Sequence, residues 1–422
     1  MFNKLLLSSI IIGIVAGIFI VFYGLLTNFL SHLLFLGNPF ETIPRLPIWY
    51  IYAVPIGSIL IVNYLIQKDK AVKEYGVREI AEAIEKNKLF FTIKDLILKI
   101  FASALSIASG FAIGNEGPSA AIGAMIANKI HTFLKLPKRL LKVSLSIGAS
   151  SGIAAIFVSP VTGIMFAIEN LAYEFVRDFA GYLIISSVIA FSVAFHFLES
   201  LIFNYSTGKF IEYRYIIATV LFIPVITFFV FFYLALKDKV LKLLNIKLTE
   251  RFLPYKNYIF GLIGGFVIGT ILLITPYGAF SGHEVVKIFI NNSIHFPLWM
   301  IFIIIVLRII ATSVSIYANA VGGIFIALMS IGTLVGYGFG EVMNLCFPFE
   351  IEPFYFAAIG AAVFMGVNMK LPLTAVVLAL EMTYDYNVII PTGISVVIVT
   401  YLAGLKFDLH KLHIKPILKA KN

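Results

Sequence analysis

The run Gly114-Asn115-Glu116-Gly117-Pro118 sets one carboxylate in apolar sequence where a helix is expected to begin. Pro118 suits a first helical turn, since its missing N–H has no partner there anyway, and Gly117 lets a ligand approach the backbone closely. The amides of Gly117, Ser119 and Ala120 are then expected to face the space before the helix unpaired. Such an end carries partial positive charge and binds anions, so Glu116 can fill the site itself or yield it to a diffusible anion. A carboxylate with that choice is a gate.

The second half of the chain holds a motif suited to face it. Val321-Gly322-Gly323-Ile324-Phe325 follows the polar stretch Thr312 to Asn319 and precedes an apolar run, so Gly322 and Gly323 are expected to offer backbone amides at another half-helix start, with Phe325 on the same entrance. A glycine pair at a helix packing contact is an equal reading of these residues alone. Pro160 and Pro372, each followed by an apolar run ending in a glutamate, are good first-turn prolines after a break. Four broken segments can thus converge.

Positioning them is the task of a membrane protein. The 422 residues are 60% hydrophobic and 13% charged, far from soluble averages. Apolar stretches run over Leu5 to Leu30, Ile48 to Ile66, Tyr182 to Phe195, Tyr215 to Leu236, Tyr258 to Ile274, Leu298 to Leu307 and Val388 to Leu405. Some reach the roughly 20 residues a spanning helix requires, and others are short or broken. The first is read as a retained helix, because it is longer than a signal segment and lacks a small-residue cleavage site.

The net charge of +10 is spread over loops: Lys68 to Lys99, Lys129 to Lys142, Lys237 to Lys256, and Lys406 to Lys421. That pattern follows the positive-inside rule, excludes a nucleic-acid patch, and places these loops and both termini in the cytoplasm. The single cysteine, Cys346, permits no internal disulfide and is expected to be buried. His32, His131, His196, His283, His295 and His413 show no metal-ligand spacing, and no nucleophile–base pattern marks an intramembrane enzyme. No metal, cofactor or enzymatic activity is expected.

An internal repeat orders the chain. Ser146 to Glu169 aligns without a gap on Ala358 to Glu381, matching Gly148 with Gly360, Pro160 with Pro372, Thr162 with Thr374 and Glu169 with Glu381 at a constant offset of 212. Duplicated halves with broken hydrophobic segments mark inverted-repeat transport proteins, whose half-helix ends meet near the bilayer midplane. Lysines precede the first copy and acids, Glu341, Glu350 and Glu352, the second, so the two are expected to enter from opposite sides. The expected organisation is one all-α transmembrane domain over 1–422, with about 47–200 as first repeat, about 256–405 as second, and 406–422 as a short basic cytoplasmic tail.

These residues resemble the CLC family of chloride channels and chloride/proton antiporters. The Gly-x-Glu-Gly-Pro motif of that family matches Gly114 to Pro118, its Gly-Gly-Ile-Phe motif Gly322 to Phe325, and its Pro-x-x-Gly-x-x-Phe-x-x-Glu segment Pro160 to Glu169, over a likeness from about Tyr50 to His410. The resemblance implies a CLC-type fold of two inverted-topology repeats with broken and tilted helices, in a multi-pass homodimer of the cell membrane. Each subunit then carries its own anion pathway, of the voltage-gated channel type or the anion/proton antiporter type, with Glu116 as external gating carboxylate. Gly114, Asn115, Gly117, Pro118, Gly322, Gly323, Ile324 and Phe325 are the implied anion-site residues; the partners are small anions, protons where coupling operates, and the lipid bilayer. The chain ends seventeen residues past Leu405, which leaves no room for a cytosolic ligand-binding domain.

Departures from the family pattern bear on mechanism. Asn115 stands where most members have Arg or Lys, which removes a cation near the outer mouth. The first anion motif is matched weakly by Glu74-Tyr75-Gly76-Val77-Arg78-Glu79, so Tyr75 would supply the hydroxyl there; a surface turn before a helix from Glu79 to Ile84 is the alternative. His410 takes the register of a late central tyrosine, as an anion ligand or an interfacial residue. Asn170 follows Glu169 where many antiporters have a second acid, so Glu169 is weighed between an inner proton path and, with its mate Glu381, structural capping. Chloride is the default cargo. A fluoride exporter of the same family and a secondary transporter of another substrate are the alternatives.

Overall fold

The computed structural model describes residues 2–69, 72–73, 92–172, 176–199, 212–244, 255–291, 293, 295–348 and 350–418, with backbone alone at 2–3, 171–172, 176–177 and 405–418. The chain is built of helices. In the first half these are α1 (Phe2–Leu34), α2 (Ile48–Lys68), α3 (Ile93–Ala108), α4 (Glu116–Phe133), α5 (Leu141–Phe157), α6 (Pro160–Ala167) and α7 (Val176–Ala194). In the second they are α8 (Tyr213–Leu244), α9 (Lys256–Ile274), α10 (His283–Ile290), α11 (Leu298–Tyr317), α12 (Phe325–Cys346), α13 (Pro353–Met369), α14 (Pro372–Thr383) and α15 (Ile389–Leu418). Among the described residues, eight helical stretches are long and apolar enough to cross a membrane.

Two observed features differ from the sequence reading. The stretch expected to end at Leu307 continues through Arg308 to Tyr317 as α11. A lone charge does not stop a helix when its donors find acceptors elsewhere, and here they do (below). Cys346 is exposed, not buried, because it is the last residue of α12, where the chain reaches the protein surface.

The breaks fall where the proline signals placed them. Val158 closes α5 in the left-handed conformation (φ 52°) and Pro160 opens α6; Lys370 closes α13 likewise (φ 61°) and Pro372 opens α14. A left-handed residue ends one helix by satisfying its last carbonyls, and the proline then starts the next at a new angle without leaving an orphan N–H. The two most extensive helix contacts are α12 on α13 and α4 on α5. Each is a backbone-to-backbone packing: a Cβ at Gly148 would overlap the Gly123 carbonyl oxygen, and one at Gly332 would overlap that of Gly360. Between helices in lipid there is little hydrophobic drive, so close approach through small residues supplies the attraction.

Candidate functional site

Both motifs lie at helix starts, and the two starts touch. Gly114 N–H donates to the Gly323 carbonyl at 2.6 Å and Gly323 N–H returns a bond to the Gly114 carbonyl at 2.8 Å, a single antiparallel bridge between the halves. Gly117 stands against this bridge, where a Cβ would come within 3.2 Å of the Gly323 Cα. A side chain there would push this backbone apart by a few tenths of an ångström. The starts of α4 and α12 are thereby held a backbone's width apart.

The amides expected to be free are corrected. Helix α4 begins at Glu116, with Asn115 as N-cap and Pro118 in the first turn, as expected. Ser119 N–H therefore donates to the Asn115 carbonyl at 2.9 Å, and Ala120 follows as an interior amide, so neither faces the gap. The Gly323 amide is likewise occupied, by Gly114. What opens on the gap is the first turn of α4 at Glu116 and Gly117 and the first turn of α12 at Phe325 and Ile326.

Glu116 fills that gap. It is buried, and its carboxylate folds back over its own helix start: a Cβ at Gly114 would overlap it, and one at Gly323 would lie 3.3 Å from Oε2. The backbone amides of Glu116 and Ile326 face the carboxylate. Oε2 has no hydrogen-bond partner among the described residues, and neither does Asn115 Oδ1 or Ser119 Oγ nearby. Phe325 closes the far side, its ring 4.7 Å from that of Phe157 and 6.4 Å from that of Phe166. Pro118 and Ile324 complete the two starts, at the third residue of α4 and the N-cap of α12.

A vestibule of about 390 Å³ leads to this point. Its wall includes Asn28 and Ser31 of α1, Asn115, Glu116, Phe157, Phe280 to Glu284, Lys287 and Ile326. Lys287 donates to Glu199 across it at 2.8 Å, and that hydrogen bond holds the Glu199 carboxyl below its usual range.

The paired glutamates cap one another's halves. Glu169 accepts from the Leu373 and Thr374 amides at 2.8 and 2.7 Å and from Thr374 Oγ1 at 2.5 Å, at the start of α14. Glu381 accepts from the Val161 and Thr162 amides at 3.0 and 2.6 Å, from Thr162 Oγ1 at 2.6 Å and from Ser159, at the start of α6. Tyr75 and the stretch from Glu74 to Ile84 lie outside the described residues; of His410 only the backbone, in α15, is described. Arg308 is the residue the sequence reading passed over. A lone arginine inside an apolar run carried the signal, since an ionisable group at membrane depth is paired or functional.

Similarity places these features. Residues 56–404 match the voltage gated chloride channel family. Among curated proteins, the H(+)/Cl(−) exchange transporter ClcA of Vibrio campbellii is 26% identical over 95% of this chain and 87% of its own length, and that of Citrobacter koseri 25% over 94% and 85%. Among solved structures, a slow cyanobacterial Cl−/H+ antiporter superposes with a TM-score of 0.83 at 21% identity over 99% of both chains, and a CLC-type fluoride/proton antiporter with 0.74 at 20% over 95% of both. With a family match that spans most of the sequence and includes both helix starts, this multi-pass membrane protein belongs to the voltage gated chloride channel family.

Proposed function

We propose that the chain exchanges chloride for protons across the cell membrane, with the Glu116 carboxylate as the gate. The observation that carries this reading is the position of that carboxylate: buried between two helix starts, facing their amides, with Oε2 unpaired. A chloride ion requires donors without a full positive charge that would trap it, and helix-start amides meet that need. Ionised Glu116 occupies the place an anion would take; protonated, it swings into the vestibule and the anion enters. The proton it gains on one side and gives up on the other is the exchanged ion. The exchange activity of the ClcA relatives supports coupling over passive flow.

In this reading the chain works as a homodimer with one pathway per subunit. The vestibule faces outward, because α4 runs from Glu116 toward the lysine-rich Lys129 to Lys142 loop, which the positive-inside rule assigns to the cytoplasm together with both termini. Glu169 serves as a helix cap, not a proton acceptor.

Purified protein in liposomes, with anion efflux and external pH recorded together, tests this. Wild-type protein moves protons against their gradient when driven by chloride, and Glu116→Gln keeps anion flux while losing proton movement. Proton pumping by Glu116→Gln would overturn the assignment; chloride flux without proton movement in wild type would make the chain a channel. Fluoride and nitrate run in parallel identify the preferred anion.

A further inference from the structure

Arg308 lies inside α11, fully buried, in a helix able to span the membrane. Its Nε donates to Ser330 Oγ at 2.6 Å, Nη1 to the Tyr277 and Ala279 carbonyls, each at 2.9 Å, and Nη2 to the Phe280 carbonyl at 3.3 Å. Every acceptor is neutral, and among the described residues no carboxylate forms an ion pair with it. A guanidinium keeps its proton in proteins, and burying an uncompensated charge costs far more than burying a neutral donor. Pinning the Tyr277 to Phe280 loop takes three donors, more than the two of a neutral amide, but none of these carbonyl acceptors calls for a full charge. The charge itself meets no opposite charge there.

The vestibule needs that charge. Gly282 is part of its wall, and a Cβ on Gly282 would overlap Arg308 Nη2, so the guanidinium sits directly behind this backbone. The charged side chains lining the cavity are Glu116, Glu199 and Glu284 against Lys287 alone, which Glu199 already engages; His32 and His283 are the histidines. Asn115 adds no cation. Judged by its lining side chains, the approach to an anion gate is net negative, which would repel the cargo.

We propose that Arg308 offsets this field locally, acting through the Gly282 wall to hold a monovalent anion in the vestibule ahead of Glu116. The inference rests on the reading of Glu116 as an anion gate. Arg308 touches no anion; it positions one through its field.

The test is the half-saturating chloride concentration for uptake from the vestibule face in reconstituted protein. Arg308→Gln raises it about tenfold, the lower end of what a focused field achieves, with the maximal rate little changed. Arg308→Lys keeps the charge, loses the four-acceptor fork, and stays near wild type. Ser330→Asp places a carboxylate beside Nε and gives the same rise with the arginine intact, whereas Ser330→Asn does not. Arg308→Lys failing as badly as Arg308→Gln, or Ser330→Asp matching Ser330→Asn, overturns the proposal. Wild-type protein decides the sign without any variant: added impermeant salt raises half-saturation if Arg308 dominates, and leaves it flat or lowers it if the acidic lining does. Glu116→Gln beside these reports gating through loss of proton coupling, a readout the Arg308 variants leave alone, so the two readings fail separately.

Discussion

Replacing Glu169 with Gln separates a structural glutamate from a proton-carrying one. The carboxylate accepts three bonds at the start of α14, two of them from Thr374 to Oε2. In Gln one oxygen remains: turned toward Thr374 it keeps that residue's two bonds, and the Leu373 amide then faces a donor. Leaving such a group unsatisfied costs about 1–3 kcal/mol, and losing a negative charge at a helix start about 0.3–1 kcal/mol more. The expected destabilisation is therefore about 1.3–4 kcal/mol, read by denaturant titration in detergent with helicity followed by circular dichroism. Glu381→Gln should cost at least as much, since it accepts from Ser159, Val161 and Thr162. Because α6 and α14 also pack together, the double variant should fall short of additivity by about 0.5–3 kcal/mol. A Glu169→Gln protein as stable as wild type that has lost proton coupling would refute this reasoning.

Other outcomes follow from single contacts. Gly148→Ala drives a Cβ into the Gly123 carbonyl and should lower stability by about 1–3 kcal/mol or more, whereas Gly181→Ala, with open space around it inside α7, should not lower stability in the same size-exclusion thermal assay. Asn115→Lys restores a cation at the mouth and should raise anion uptake at low chloride and low salt by about tenfold, an advantage that disappears at high salt. The Lys287 bond depresses the Glu199 pKa, so the pair's stabilisation is complete near neutral pH and lost as pH falls through the lowered Glu199 titration. Being exposed, the pair contributes under about 1 kcal/mol. The stability difference between wild type and Glu199→Gln should accordingly shrink to nothing in acid.

Much of this architecture was legible because breaks in membrane helices need special residues. Pro160, Pro372 and the 212-residue offset located the half-helices, and the glycines of Gly114 to Gly117 and Gly322 to Gly323 located the two starts that meet. The exact hydrogen-bond ledger was not legible. Nothing in the sequence says that the Gly323 amide is taken by Gly114, since that bond joins residues far apart in the chain. Arg308 was obscured because it ended an apolar window; its acceptors come from a loop some thirty residues upstream and from Ser330. Cys346 misled because residue type predicts burial only away from helix ends.

Glu116, Glu169 and Glu381 each bring a carboxylate to a half-helix start, and their hydrogen bonds divide them. Glu169 and Glu381 are locked by three and four donors respectively, each reaching across to the other half. Moving either would forfeit charge-assisted bonds worth about 1.5–3 kcal/mol apiece. Glu116 lies at its own helix start, faces two backbone amides and leaves Oε2 without a partner. Its departure strands little, and an arriving anion can take over the amides it vacates. Residue type and helix-start electrostatics are the same in all three places, so neither makes a gate. What makes Glu116 one is incomplete satisfaction beside an open vestibule: a carboxylate held well enough to block, and weakly enough to be displaced.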